Sequence, residues 1–220
     1  MVRSYMPAHL DDTSVDRRIA QLFALVSEAV AGATHALLHG DPVAGQAVID
    51  GDRSIDELTG EVEQLVWEQV DTERPGGDRL RRLVGLLLIL PELERSADLA
   101  EHIAQRAVSS LGAQMSPLSR GIVQRMTEVA LEMWSTAADA FASRVPRLLA
   151  LEEADEEIDI LHERLTGEVA RGAMPIAIAA QVTLLARFYE RLGDHAVNLV
   201  RRISAMPPLS HRPGRFDERG

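Results

Sequence analysis

The chain has 220 residues, 46% of them hydrophobic and only 4% aromatic, and a formal charge of −11 at neutral pH. That length suits one or two compact domains, and a core so poor in aromatic residues favours helices over a sandwich or barrel. The acidic balance argues against non-specific nucleic-acid binding. The absence of Cys excludes disulfides, thiolate metal sites and thiol nucleophiles.

Prolines punctuate the chain. Pro42, Pro75, Pro117, Pro146 and Pro175 separate periodic segments over 13–40, 42–72, 77–112, 117–144, 146–172 and 175–205. Asp41-Pro42 and Ser116-Pro117 read as a capping residue followed by Pro in the first helical turn. Each segment predicts a helix of about seven turns or more, and none shows the period-two alternation of a strand. The longest apolar run, Leu83 to Leu90, is too short to span a bilayer. The N-terminus lacks the form of a signal peptide, so a cytosolic chain is expected. The polar, Pro-rich stretch 206–220 predicts a disordered tail.

The sixth segment has the clearest pattern. Ile178, Val182, Leu185, Tyr189, Leu192, Ala196, Leu199 and Ile203 alternate steps of four and three, the seam of a bundle helix. The third segment keeps that seam with weaker residues, Ser96 among them, and Pro91 is expected to bend it. The predicted fold is all-α: two tandem three-helix bundles, 13–112 and 117–205, related by internal duplication.

The duplication carries acids with it. Glu94-Arg95-Ser96-Ala97-Asp98 recurs as Glu190-Arg191-Leu192-Gly193-Asp194, and the pair Asp52 and Asp56 recurs as Asp155 and Asp159. On a helix, i,i+4 spacing puts two carboxylates on one face, roughly 6 Å apart. The second half has seven fewer residues between its two pairs, which reads as a longer loop around Arg74-Pro75-Gly76-Gly77-Asp78 in the first half. Asp52 and Asp155 both interrupt apolar stripes, and a buried carboxylate without a partner is costly. If the second and third helices of each half are neighbours, four carboxylates converge and need a cation or protons. All-oxygen donors suit Mg, Ca or Mn, and carboxylate-bound iron is also possible. The bland alternative is a solvated acidic face, with Arg95 and Arg191 pairing across helices. His102 and His162 lack counterparts in the other half, and His195 reads as a hydrogen-bonded surface histidine. No phosphate loop, dinucleotide fingerprint, H-E-x-x-H or G-x-S-x-G is present. No Arg cluster stands out as an oxyanion site either.

Leu185-Ala186-Arg187-Phe188-Tyr189-Glu190-Arg191-Leu192-Gly193-Asp194-His195-Ala196 resembles the signature of the PhoU family of phosphate-signalling proteins. Leu93 to Ala100 resembles its first-half copy, and the two Asp pairs resemble the acidic motifs of the family's second and fifth helices. The likeness spans about residues 13 to 205. The family usually has Ile-Gly where this chain has Ser96-Ala97.

The resemblance implies metal ligation by Asp52, Asp56, Glu94 and Asp98 and by Asp155, Asp159, Glu190 and Asp194, on the outside of each bundle. The ion would be iron, manganese, magnesium or zinc. It also implies a non-enzymatic, cytosolic adaptor, dimeric and docked at the inner membrane face. Such an adaptor links a high-affinity phosphate ABC transporter, through its ATPase, to a sensor histidine kinase, and keeps the phosphate-starvation response off. Two alternatives are an accessory of another phosphate transporter, and a carboxylate-rich metal-binding protein or metal-dependent hydrolase.

Overall fold

The structure, a computed structural model, describes residues 12–172 and 174–207. The described residues form α1 (Asp12–His39), α2 (Pro42–Glu73), α3 (Gly77–Val108), α4 (Leu111–Gln114), α5 (Pro117–Ser143), α6 (Leu148–Ala170) and α7 (Ile176–Ser204), with no strand among them. The duplicated all-α fold read from the sequence is the one observed.

Local chemistry sets the helix ends. The Asp41 carboxylate accepts from the N–H groups of Val43 and Ala44, both at 3.0 Å, with Pro42 in the first turn. Ser116 Oγ accepts from Ser119 N–H at 3.0 Å, again ahead of a Pro. Both caps satisfy donors that a helix N-terminus leaves open. α3 runs through Pro91 as one helix. It stops at Val108, short of the expected residue 112, because Ser110 turns left-handed with φ 59°. The one-turn α4 then carries the chain under the end of α1. A Cβ on Gly112 would stand 1.8 Å from the carbonyl oxygen of Leu37, so only glycine permits this crossing.

α1, α2 and α3 form one bundle and α5, α6 and α7 the other. The bundles join along α1–α5 and α3–α7, which leaves α2 and α6 on opposite outer sides. α1 is long and apolar enough to cross a membrane. Here it is a central helix, with Ile19, Leu22, Val26, Val30 and Ala33 all fully buried. Phe23 meets Trp134 and Phe141 at ring-centroid distances of 6.1 and 5.8 Å across the joint. Deeper in the same seam, Tyr189 and Thr34 share a hydrogen bond of 2.5 Å.

Two sequence expectations need correction. The seven extra first-half residues are not a longer loop. The α2–α3 loop, 74–76, is shorter than the α6–α7 loop, 171–175, and the extra length is helix at the ends of α2 and α3. Helical extension satisfies each added backbone group internally, which a longer loop would not. His195 is not on the surface: it is 8% exposed, in the α3–α7 joint. Its Nδ1 lies 2.8 Å from Ser96 Oγ, and Ser96 Oγ donates to the Glu92 carbonyl at 2.6 Å. Its Nε2 faces the Glu92 carboxylate at 3.8 Å, and Arg202 holds that carboxylate at 3.1 Å. Burial pushes the His195 pKa down, against the pull of Glu92. The substitution that puts Ser96 into the seam therefore supplies the partner His195 needs. Of the expected tail, Met206 is buried and packs over Gly85, while 208–220 lie outside the described residues.

Candidate functional site

The eight acids fall into two groups, one on each outer side of the molecule. Asp52 and Asp56 on α2 face Glu94 and Asp98 on α3, because these helices run antiparallel as neighbours. Asp155 and Asp159 on α6 face Glu190 and Asp194 on α7 in the same way. Burial and the neighbouring carboxylates raise Asp52 and Glu94 in the first group and Asp155 and Glu190 in the second. Asp52 is pushed up to about 6, first by burial and then by Asp56, Asp98, Glu101 and Glu94. Asp155 is pushed up to about 6 by burial and then by Asp194, Asp159 and Glu190, with Arg201 opposing. Burial also raises Glu94 and Glu190. Glu101 joins the first group although it lies outside the repeated cassettes. Its position, three residues after Asp98 on the same helix, was the available signal.

The donor chemistry fits a hard cation. Asp52 Oδ1 and Glu190 Oε2 are both buried and have no hydrogen-bond partner among the described residues. A Cβ on Gly193 would come within 2.9 Å of Asp155 Oδ1, so the missing side chain makes room for that carboxylate. Among the described residues no three acidic or imidazole side chains yet close into a ligand cage. The alternative in which Arg95 and Arg191 pair with the acids across helices finds no ion pair for either arginine among the described residues. Arg187 bonds Glu190 one turn away on α7, and Arg201 bonds Glu152 at 3.0 Å. His162 lies near enough to Glu190 to offset part of its upward shift. His102 instead stacks on Phe188 at 5.5 Å.

The fold and these two faces define a class: a duplicated three-helix-bundle protein with one acidic site on each outer flank. The PhoU domain model matches residues 19–107 and 123–203, and the chain belongs to the PhoU family. A Rhizobium meliloti (strain 1021) protein named "Phosphate-specific transport system accessory protein PhoU homolog" is 30% identical over 90% of this chain and 87% of its own length. A Mycobacterium tuberculosis (strain H37Rv) protein named as PhoU homolog 2 of the same system is 30% identical over 89% of this chain and 93% of its own. The crystal structure of PhoU from Pseudomonas aeruginosa superposes with a TM-score of 0.80 at 23% identity, covering 87% of this chain and 94% of that one. The Streptococcus pneumoniae phosphate transport regulatory protein PhoU gives 0.78 at 20% identity, covering 87% and 92%.

Proposed function

We propose that this chain is a phosphate-transport accessory protein that holds the phosphate-starvation response off when phosphate is plentiful. It acts as a non-enzymatic cytoplasmic adaptor, a homodimer at the inner membrane face. It links the ATPase of a high-affinity phosphate ABC transporter to a sensor histidine kinase. The observation that carries this reading is that both halves match the family, and that the match runs through both acidic cassettes. The names of the R. meliloti and M. tuberculosis relatives support the transport-system role.

In this reading Asp52, Asp56, Glu94 and Asp98 hold one metal site, and Asp155, Asp159, Glu190 and Asp194 the other. Iron, manganese, magnesium or zinc would supply positive charge to carboxylates that otherwise repel each other. The orphaned oxygens of Asp52 and Glu190 support this assignment, since a bound cation would satisfy both.

The test is a phosphate-starvation reporter in cells lacking this chain, grown in excess phosphate with any second family copy also deleted. Reporter expression should switch on, and Ala at Glu94, Asp98, Glu190 and Asp194 should reproduce part of the effect. A reporter that stays silent would sink the regulatory reading.

A further inference from the structure

A second polar site lies away from both acidic faces, where α3, the α4 turn and the start of α7 meet. A cavity of about 420 Å³ opens there, lined by Arg106, Gln105, Ser109, Gln114 and Gln181 with Leu111, Ala177 and Ile178. In a chain with a net charge of −11, the described residues lining this cavity include one cation and no carboxylate. Arg106 is half-buried, and none of the ion pairs among the described residues includes it.

The geometry of Arg106 is set by its neighbours. The guanidinium lies 4.6 Å over the Phe188 ring, and Nη1 donates to the His102 carbonyl at 2.7 Å. That leaves Nη2, which makes no hydrogen bond among the described residues, while Nε is buried and has no partner there. A guanidinium N–H without a counter-ion makes a short, charge-assisted bond to an oxyanion. Burial weakens the hold of Arg106 on its proton and nothing nearby offsets this, as expected of a cation short of a counter-ion. The Gln181 side chain makes no hydrogen bond among the described residues and can donate from across the cavity, and Gln105 and Gln114 each keep a second amide hydrogen beyond their bonds to Glu101 and the Ser110 carbonyl. The first turn of α7 follows Pro175, which offers no side-chain cap, so its leading N–H groups add positive potential on the same side.

We propose that this cavity binds a phosphoryl-class oxyanion, seated on Nη2 of Arg106 and on the amides of Gln181 and its neighbours. Because α3 belongs to one bundle and α7 to the other, the bound anion braces their joint. The site stands on the cavity alone and does not depend on the metal faces or on the kinase linkage.

The test is calorimetric titration of the chelator-treated full chain with sodium orthophosphate and, in a second arm, with glycerol 3-phosphate. Chelation removes any phosphate uptake through metal at the acidic faces. One site with a Kd of about 0.1–1 mM is expected for orthophosphate. Arg106→Gln should weaken it at least tenfold, as should Gln181→Glu, which places a carboxylate in the cavity. Arg191→Gln, an exposed change elsewhere on α7, should leave it unchanged. Equal affinity in the two arms assigns the site to a phosphoryl end, and binding of orthophosphate alone assigns it to the free ion; both support the proposal. No heat up to about 10 mM from protein with a normal melting curve overturns it. So does binding that survives both cavity substitutions.

Discussion

The two acidic faces come from one duplicated pattern, yet their charge is handled differently. On the α2–α3 face every carboxylate acting on Asp52 raises its pKa, and a fifth acid, Glu101, adds to the four. On the α6–α7 face Arg187 bonds Glu190, while Arg201 and His162 offset part of the repulsion at Asp155 and Glu190. The packing differs as well: Gly193 makes room for Asp155, whereas Ala97 stands at the matching place on α3. The first face is the more strongly charged and the second the more neutralised. Duplicated acidic sets therefore need not share one electrostatic character, because that depends on the neighbours that duplication does not preserve.

The largest expected effect breaks the comparison outright. Asp52→Asn with Asp98→Asn should weaken Mn²⁺ binding at the first face about a hundredfold, and Asp155→Asn with Asp194→Asn should weaken the second about tenfold. Calorimetry with metal analysis of each double variant measures both, and equal losses would remove the distinction. Next comes Arg187→Gln. Freeing Glu190 should tighten the second face about fivefold, on the order of 1 kcal/mol for a half-exposed pair. An unchanged titration would mean the metal displaces Arg187 without cost.

A smaller effect, common to the two faces, appears through pH in the metal-free protein. Asp52 and Asp155 have folded pKa values of about 6 against an ordinary 3.8. The folded state thus binds more protons between these values, so their contribution is most favourable below pH 3.8 and is lost as pH rises through about 6. Melting temperature should fall by about 2–4 °C from pH 5 to pH 7. Asp52→Asn and Asp155→Asn should each remove a similar share of this slope, since both carboxyls sit at about 6 with the pull of Arg201 on Asp155 already included. Melting curves at the two pH values decide it. The smallest effect concerns the cradle. Gly193→Ala should gain helix propensity yet push Asp155 aside, weakening the second face about threefold with little change in melting temperature.

Much of the molecule was legible in the chain itself. Helix caps at Asp41 and Ser116 are local chemistry, so sequence spacing was enough to find them. The acid pairs were legible because i,i+4 spacing and helix adjacency are both short-range consequences of a three-helix hairpin path. His195 was misread because its partners, Glu92 and Ser96, are about a hundred residues away on α3. The seven-residue offset was misplaced because a Pro-Gly-Gly stretch marks a turn but does not measure how far the helices run before it.

By itself, then, the sequence determined the helical segments, the duplication and the membership of eight acids in two groups. Each of these follows from periodicity and spacing within a few turns. Only the tertiary structure decided which charges meet a counter-charge. It set Arg201 of α7 near Asp155 of α6, buried His195 against Ser96, and left Arg106 at a cavity with no acid among its described lining residues. The reason is physical: propensity and patterning act along the chain, whereas desolvation and Coulomb energy depend on distances across the packed bundles.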